Sequence, residues 1–376
     1  MELWLANIII SLGISILLTG VIIPQILLIA FRKKLFDVPD ERKIHTSAVP
    51  RLGGIAFMPA IFFSVISVCG FAMLYEAPQA NSIENQWIVQ FCFIACAILL
   101  MFLVGLADDL VGVRYSAKFI VQLISAAMLV IGGLWIDNLH GFLWIYDLHP
   151  LIGIPLTMVV IVFIINAINL IDGIDGLASG LSAIALLFYG IAFYSVGEYL
   201  YAMIAASAMG TLIPFFYFNV FGDPAKRKKI FMGDTGALTI GVVLATMALK
   251  MNNLTPTIEN IHANPLVLAF SPVIVPCLDV VRVYIHRILR HRNPFLPDKC
   301  HIHHKILATG LPQRVTMISI LIVSACFIIL NVLISPYMNV TILFILNLAI
   351  WTLSNMWLTY IIKRRQEKLK LPNLYD

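Results

Sequence analysis

The chain reads IGIPLTMVVIVFIINAINLI at residues 152–171 and continues directly with DGIDG at residues 172–176. The first stretch has the length that an α-helix needs to cross a bilayer, roughly 20 apolar residues. Two carboxylates, those of Asp172 and Asp175, follow where the apolar run ends. This arrangement predicts a membrane-spanning helix whose polar end carries a functional site.

The same alternation of long apolar runs and short polar clusters extends over the whole chain. Hydrophobic residues make up 60% and charged residues 12% of the 376 residues, whereas soluble domains contain about 25% charged residues. This composition excludes an ordinary soluble domain and indicates an all-α, polytopic membrane protein. We expect one integral membrane domain over residues 1–376, with a cytoplasmic tail at about 362–376.

Eleven segments are apolar enough to be predicted as spans, and the ninth contains Pro272 and Pro276, which should kink its helix. The first segment lacks a preceding basic region and a cleavage pattern, so we interpret it as a retained span. The six cysteines are scattered and predict no disulfide framework. The predicted spans are about 4–31, 52–75, 88–107, 116–136, 152–171, 177–196, 199–220, 235–251, 265–285, 315–335 and 338–361.

Lysine and arginine are distributed unevenly between the loops. The loops after spans one, three, five, seven and nine and the C-terminal tail are basic, and the alternate loops contain essentially no Lys or Arg, Lys250 being the ambiguous case. The positive-inside rule then places the N-terminus outside and the C-terminus in the cytoplasm. The basic residues are Arg32 to Lys34, Arg42, Lys43, Arg51, Arg114, Lys118, Lys226 to Lys229, those of the stretch 287–305, Arg314 and Lys363 to Arg365.

Three further polar clusters are predicted on the same cytoplasmic side. They are Asp108-Asp109, the segment Phe231-Met232-Gly233-Asp234, and the segment His301-Ile302-His303-His304. Taken alone, Asp108-Asp109 would be interpreted as an ordinary helix end followed by a turn. Asp234 precedes span eight, where it would be a suitable N-cap, and the N–H groups of that helix end could face an anion.

Asp172 and Asp175 are three residues apart, so they would project on one side of a helical turn. A glycine after each permits backbone conformations that other residues avoid. A capped turn without a function explains the same pattern. If all four clusters lie on one side of the membrane, however, they predict a site for a divalent metal and a phosphorylated substrate. Carboxylate oxygens favour Mg²⁺ or, as a substitute, Mn²⁺, and the histidines do not have the ligand spacing of zinc sites.

Together, in order and over nearly the whole chain, these motifs resemble those of the polyprenyl-phosphate N-acetylhexosamine-1-phosphate transferase family, also called glycosyltransferase family 4. The matching elements are Arg42-Lys43-x-His45, Pro50-Arg51-Leu52-Gly53-Gly54, Gly105-Leu106-x-Asp108-Asp109, Lys118, Asn166-x-x-Asn169-x-x-Asp172-Gly173-x-Asp175-Gly176, Asn219, Phe231-Met232-Gly233-Asp234-x-Gly236, and Pro294-Phe295-x-Pro297-Asp298-x-x-His301-Ile302-His303-His304.

The resemblance implies that undecaprenyl phosphate attacks a UDP-N-acetylhexosamine and releases UMP, as the first membrane step of cell-envelope polysaccharide synthesis. It implies Asp108, Asp109, Asp234 and His303 as catalytic residues, the three aspartates also as ligands of Mg²⁺. The residues implied in substrate binding are Lys43, Lys118, Asn169, Asp172, Asp175, Asn219, Phe231, Gly233, Arg287, His301 and His304.

Within the family, the His-x-His-His form, eleven spans and a cytoplasmic C-terminus resemble the branch that transfers N-acetylglucosamine 1-phosphate. The alternative is the peptidoglycan branch, which uses phospho-N-acetylmuramoyl-pentapeptide. The loop at 287–299 that would contact the sugar is the variable part, so the sugar stays open. We expect a bacterial inner-membrane protein that does not bind nucleic acid, and the sequence leaves its oligomeric state open, a homodimer included.

Two other classes of protein share parts of the pattern. A secondary transporter would use intramembrane carboxylates as an ion relay, but its site would lie near the bilayer midplane between repeats, and no repeat is evident. A CDP-alcohol phosphotransferase should carry further aspartates four residues apart on the next helix, and span six has none. Asp279 and Arg282, three residues apart in span nine, are compatible with either a site or a simple ion pair.

Overall fold

The computed structural model describes residues 2–36, 49–76, 85–254, 263–291 and 300–369. Helices dominate these residues, as predicted. The helices and strands are α1 (Glu2–Lys33), α2 (Phe57–Glu76), α3 (Asn85–Val111), α4 (Tyr115–Ile131), β1 (Asn138–Phe142), β2 (Ile145–Asp147), α5 (Pro150–Ile171), α6 (Leu177–Ser195), α7 (Tyr199–Phe216), α8 (Gly233–Asn252), α9 (Pro265–Phe270), α10 (Ile274–Leu289), α11 (Ile302–Ala308), α12 (Gln313–Ile334) and α13 (Val340–Leu369).

Each of the eleven predicted spans contains a helix in the structure. Ten helical segments of the described residues are long and apolar enough to cross a membrane. The exception is α4, which has 17 residues and is therefore slightly shorter than the roughly 20 that a straight span requires. The ninth predicted span is broken at Ser271–Val273 into a 3-10 turn between α9 and α10, which confirms the expected effect of Pro272.

The centre of the bundle is α8, in which nearly every residue from Thr235 to Asn252 is buried. Its neighbours approach closely because glycines lie at the contacts: a Cβ atom on Gly105 of α3 would lie 2.6 Å from Thr235 Cα, and one on Gly241 would lie 2.9 Å from Ile165 Cα of α5. Small residues allow helices in a membrane to pack at such short range. This packing holds α3, α5 and α8 in a fixed relation, and with them the polar ends of those helices.

A small antiparallel hairpin, β1 and β2, connects α4 to α5. It is an exception to the predicted all-α architecture. Hydropathy predicts which segments cross the membrane but does not constrain a short connection at its surface. There, pairing of two strands satisfies backbone N–H and C=O groups as well as a helix does.

Candidate functional site

The paired aspartates at the end of α3 meet the first turn of α8. Lys118 Nζ of α4 donates a hydrogen bond to Asp108 Oδ2 at 3.1 Å, and the same ammonium group forms an ion pair with Asp234 Oδ2. All three side chains are mostly buried but still reach solvent. Lys118 therefore joins two carboxylates from different helices at one end of the bundle.

Asp109 caps the start of α8 from the neighbouring helix. Its Oδ1 accepts a hydrogen bond from the backbone N–H of Asp234 at 2.9 Å, and its Oδ2 accepts one from the N–H of Thr235 at 2.8 Å. The expected N-cap role of Asp234 is wrong, because Asp234 is the second residue of α8 and no side chain caps the helix at Met232. Gly233 has a φ of +70°, and a Cβ atom there would lie 2.5 Å from Asp109 Oδ2, so glycine is required for this contact.

Asp108 and Asp234 form a donor set that suits a hard divalent cation. Within the described ranges, no three His, Cys, Asp or Glu side chains are arranged to enclose a metal ion. Mg²⁺, however, is usually bound by one or two carboxylates together with substrate phosphates. Two carboxylates can therefore be enough. Asp109 has both oxygens engaged by backbone N–H groups at the start of α8, whereas Asp108 has Oδ1 engaged by the N–H of Val113 and Oδ2 by the side chain of Lys118.

The DGIDG segment at residues 172–176 forms the break between α5 and α6 and is not a helical turn. Gly176 adopts a φ of +77°, and its N–H donates a hydrogen bond to Asn219 Oδ1 at 2.7 Å. Asn219 Nδ2 in turn donates to the carbonyl oxygen of Ile230 at 2.9 Å. The buried Asn219 thus ties the DGIDG segment to the residues that lead into α8.

Asp172 lies directly beyond the end of α5, where it is accessible to solvent. The surrounding protein, and then the carboxylates of Asp234 and Asp175, raise the pKa of Asp172 to about 7. Asp175 pairs with Lys229, whose Nζ lies 2.6 Å from Asp175 Oδ2. The sequence indicated Lys229 only as part of a basic loop, and its role as the partner of Asp175 depends on how α6 and that loop pack.

A buried carboxylate holds His301 in place. Asp279 of α10 is fully buried; its Oδ2 lies 2.9 Å from His301 Nδ1, and its Oδ1 accepts the N–H of Ile302 at 3.0 Å and a guanidinium N–H of Arg282 at 2.8 Å. Arg282 also donates to the carbonyl oxygen of Cys300. Asp279 and Arg282 thus pair with each other and also hold the beginning of α11 in place. The sequence indicated this role only through two charged residues inside an apolar span.

His303 is the second residue of α11, and its ring faces the DGIDG segment. A Cβ atom on Gly173 would lie 2.1 Å from His303 Nε2, so the ring packs directly on the glycine backbone. Both ring nitrogens are buried, and neither has a hydrogen-bond partner among the residues that the structure describes. Burial, and then the neighbouring His304 and His301, lower the pKa of His303 to about 3. The ring is therefore neutral at physiological pH and can donate to or accept from a ligand.

The last helix, α13, supports α11 from the other side. Lys305 Nζ donates hydrogen bonds to the carbonyl oxygen of Asn355 at 3.0 Å and to Thr359 Oγ1 at 2.9 Å. At the far end of α11, Arg365 donates to the carbonyl oxygen of Ala308 at 2.8 Å. The histidine-bearing helix is thus held by α10 at its start and by α13 along its length.

The segment that begins at residue 49 pairs with the segment that leads into α8. The N–H of Phe231 donates to the carbonyl oxygen of Pro50, and the N–H of Gly53 donates to the carbonyl oxygen of Phe231, each at 2.9 Å. The half-buried ring of Phe231 lies with its centroid 5.9 Å from Lys229 Nζ. These contacts place the ring of Phe231 just before α8, which carries Asp234, and close to Lys229, the partner of Asp175.

Three other residues predicted for the site, Asn169, Arg287 and His304, lie at or near helix ends. Asn169 is half-buried in the last turn of α5, and Arg287 is buried near the end of α10. His304 is half-buried, with its ring centroid 4.3 Å from that of His303. Lys43 lies outside the described residues, as do the other motif residues at 42–45 and 294–298 and most of the variable loop at 287–299. The contacts above therefore join all four polar clusters, apart from these residues, at one end of the bundle.

Comparison with known proteins gives the same family as the motifs. Residues 91–252 match the model of glycosyl transferase family 4. The chain is 31% identical to the undecaprenyl-phosphate alpha-N-acetylglucosaminyl 1-phosphate transferase of Yersinia pestis, over 81% of this chain and 78% of that protein. It is 30% identical to the probable undecaprenyl-phosphate N-acetylglucosaminyl 1-phosphate transferase of Bacillus subtilis, over 90% and 89% respectively.

A third relative is the undecaprenyl-phosphate alpha-N-acetylglucosaminyl 1-phosphate transferase of Escherichia coli K12, at 28% identity over 81% of this chain and 78% of that protein. The similarity to these proteins extends well beyond the matched family segment and includes the helices that carry the aspartates. On this evidence the chain belongs to glycosyl transferase family 4, the polyprenyl-phosphate N-acetylhexosamine-1-phosphate transferases.

Proposed function

We propose that this protein transfers N-acetylglucosamine 1-phosphate from UDP-N-acetylglucosamine to undecaprenyl phosphate and releases UMP. The names of the bacterial relatives support the acceptor and the transferred group. The observation that carries the proposal is the convergence of Asp108 and Asp234 on Lys118 at the ends of apolar helices. A lipid phosphate and a water-soluble nucleotide can meet only at such a boundary between hydrocarbon and water.

In the proposed reaction, an oxygen of the lipid phosphate attacks the β-phosphorus of the UDP-sugar. The bond from that phosphorus to the bridging oxygen breaks, and UMP leaves with the electron pair. The second pKa of a phosphate monoester is about 6, so the acceptor is mostly dianionic at neutral pH and needs little help from a general base. Mg²⁺ bound by Asp108 and Asp234 would supply neutralisation of the charge that develops on the leaving group.

The protein's own side chains position the reactants. Lys118 holds Asp108 and Asp234 together and places a positive charge beside the reacting phosphates. Asp109 fixes the first turn of α8, and so acts on the reaction through Asp234. Neutral His303 is suited to a hydrogen bond with the diphosphate, because a buried donor without a partner gains most from a ligand.

The remaining residues are assigned to the two ends of the donor substrate. Asn169, Asp172 and Asp175 are proposed at the uridine and ribose, with Phe231 available to stack on the base. A second group, from the basic loops and the histidine cluster, is proposed at the sugar and its phosphates. This group consists of Lys43, Arg287, His301 and His304. Asn219 and Gly233 shape the site through the backbone contacts described above.

The raised pKa of Asp172 predicts a pH-dependent affinity for the donor. The carboxyl group is protonated below pH about 7, and a protonated group is a poorer acceptor for ribose hydroxyls. We therefore expect KM for the UDP-sugar to rise as the pH falls below about 7, while kcat changes less. A bound cation would lower the pKa of Asp172 and so move the midpoint of this rise to a lower pH. Steady-state kinetics between pH 5.5 and 8.5 measure this. Asp172→Asn should flatten the KM profile, and an unchanged profile in that variant would assign the titration to another group.

The contact between Asp279 and His301 predicts that Asp279 is a positioning residue. Asp279→Asn keeps the size of the side chain but replaces the acceptor at His301 Nδ1 with an N–H donor. A displacement of about 1 Å can cost about 10²-fold in rate, so we expect a fall in kcat of that order with little change in KM. If Asp279 acts through His301, the double variant with His301→Asn should be no slower than His301→Asn alone. Additive effects would show that Asp279 acts elsewhere.

The distribution of basic residues predicts that the site faces the cytoplasm of the bacterial inner membrane. Asp147 lies in β2 at the end of the bundle opposite to the site, and Ala225 lies in the loop before α8. In intact cells, a cysteine at Asp147 should react with a membrane-impermeant maleimide, whereas a cysteine at Ala225 should react only after permeabilisation. The reverse pattern would contradict the orientation. The protein without either substitution provides the background.

The proposed function is tested by the release of UMP from UDP-N-acetylglucosamine in the presence and absence of undecaprenyl phosphate. Release that requires the lipid supports the proposal, and a lack of release under all metal conditions contradicts it. The same assay with UDP-N-acetylgalactosamine and UDP-N-acetylmuramoyl-pentapeptide separates the proposed donor from other hexosamines and from the peptidoglycan branch. Such a reaction would be the first membrane step of cell-envelope polysaccharide synthesis.

A further inference from the structure

The hairpin formed by β1 and β2 exposes four consecutive apolar side chains at its tip. The exposed fractions are 54% for Leu143, 70% for Trp144, 42% for Ile145 and 61% for Tyr146. The hairpin lies at the end of the bundle opposite to the aspartates, since α5 begins after it at Pro150 and ends at the DGIDG segment. The proposed reaction makes no use of these residues.

The turn of this hairpin carries residues that are unfavourable for its geometry. Phe142 pairs with Ile145, so the loop consists of Leu143 and Trp144 alone, and both have positive φ angles, of 52° and 60°. A two-residue loop with two positive φ angles is the type I′ turn, which strongly prefers Asn-Gly because large side chains strain it. Strained backbone that is retained in a fold suggests that the side chains concerned have a task.

The hairpin is held rigidly at the membrane boundary. The N–H of Leu143 donates to Thr341 Oγ1 in the first turn of α13 at 2.6 Å, and the ring of Phe142 packs edge-on against Phe344 of the same helix at 5.4 Å between centroids. At its other end, Asn252 Nδ2 donates to the carbonyl oxygen of Asn138 at 3.1 Å. The tip therefore lies level with the beginning of a membrane-spanning helix.

The apolar surface of the tip continues into surfaces that face lipid. Two residues separate the hairpin from α5, whose first turn exposes Leu151 by 80% and Ile152 by 62%. Helix α13 exposes Ile345, which follows Phe344, by 59%. These side chains belong to helices that are long and apolar enough to span a membrane, and a bilayer around those helices would cover them. By contrast, the base of the hairpin is polar, where Asn138 Nδ2 donates to the carboxylate of Asp147 at 2.9 Å.

We infer that the hairpin tip inserts into the interface of the lipid leaflet opposite to the candidate site and anchors this end of the bundle there. Trp and Tyr are enriched at the boundary between headgroups and hydrocarbon, because one part of each ring is apolar and another part carries a hydrogen-bond donor. Leu143 and Ile145 add apolar contact, while Asp147 at the base stays among headgroups and water. The partner is the phospholipid surface itself.

The position of Trp144 can be measured in the full-length protein labelled with 5-fluorotryptophan and reconstituted in nanodiscs of dioleoyl phosphatidylcholine and phosphatidylglycerol. Trp144→Phe identifies its fluorine resonance. We expect phosphatidylcholine with a nitroxide at acyl carbon 5 to broaden this resonance more than a soluble gadolinium chelate does. Stronger broadening by the chelate would place Trp144 in water. Broadening by neither would mean that protein covers it, and both outcomes overturn the proposal. Trp351, which is 5% exposed and lies well inside the membrane span α13, should resist the chelate and provides the reference for a site away from water.

A double variant separates anchoring from turn formation. Leu143→Asn with Trp144→Gly gives the loop the residues that a type I′ turn favours and removes the apolar tip. If the tip serves only the turn, the midpoint of thermal unfolding in nanodiscs should rise or stay unchanged, which would overturn the proposal. If the tip is anchored in lipid, the midpoint should fall by about 1–2 °C, because the shift of about 2–4 °C expected for 150–250 residues becomes smaller as the chain becomes longer.

Discussion

Asp234→Asn should lower the rate of UMP release by about 10²- to 10³-fold, the range seen when one preorganised electrostatic contact to a transition state is removed, while the protein still folds. The substitution keeps the side-chain shape and leaves the backbone N–H of residue 234 bonded to Asp109. It removes a full charge from the group that contacts Lys118 and is proposed to bind the metal. The measurement is initial rate against Mg²⁺ concentration, and the concentration needed for half-maximal rate should increase.

The control for this experiment is Asp223→Asn. Asp223 lies in the loop that leads into α8, and its contacts are local: its Oδ1 accepts the N–H of Ala225 at 2.9 Å, and its carboxylate lies 3.9 Å from Lys226 Nζ. Loss of that charge should leave the rate and the Mg²⁺ dependence unchanged. If Asp234→Asn kept nearly the full rate at low Mg²⁺, the proposed metal role of Asp234 would be wrong.

The second prediction is that the reaction is a single displacement without a phosphorylated aspartate. Asp108 is the aspartate that a two-step route would use, but both of its oxygens are engaged. Oδ1 accepts the N–H of Val113 at 2.8 Å and Oδ2 accepts from Lys118 at 3.1 Å. Such contacts stabilise a carboxylate and weaken it as a nucleophile. Asp108→Asn should therefore slow transfer by at least about 10²-fold through loss of charge and positioning.

The two routes differ when no lipid acceptor is present. A covalent intermediate would let the protein release UMP from the UDP-sugar alone and exchange labelled UMP into the UDP-sugar. A single displacement permits neither reaction. We expect rigorously delipidated protein to show no exchange, and exchange that disappears in Asp108→Asn would instead identify Asp108 as the nucleophile.

The sequence was sufficient to predict the membrane class and the positions of the spans. Hydrocarbon imposes a single strong requirement, that a spanning segment be apolar over about 20 residues, and this requirement can be evaluated along the chain without knowledge of any contact. The effect of a proline on a helix is likewise local, because proline has no backbone N–H to donate, and Pro272 therefore predicted the break between α9 and α10. The ordered motifs predicted the family, which the similarity to known proteins confirms.

The partners of individual site residues could not be predicted in this way. Asp109 and Thr235 are 126 positions apart in the chain, and nothing in either motif indicates that one caps the helix of the other. Asp279 appeared equally compatible with a simple ion pair, and only the packing of α10 against the start of α11 shows that it holds His301. Such contacts depend on the relative position of helices, which close packing at glycines sets.

Taken by itself, the sequence determined which segments lie in the membrane, which family the chain belongs to and which side chains gather at the polar helix ends, because apolar length and local motifs are properties of neighbouring residues. Only the tertiary structure decided that Lys118 lies between Asp108 and Asp234, that His303 is buried against Gly173, and that Leu143 and Trp144 form a strained, exposed turn. The first two of these results depend on distances between segments far apart in the chain, which packing fixes. The third depends on a backbone conformation that large side chains do not favour, so local sequence does not predict it.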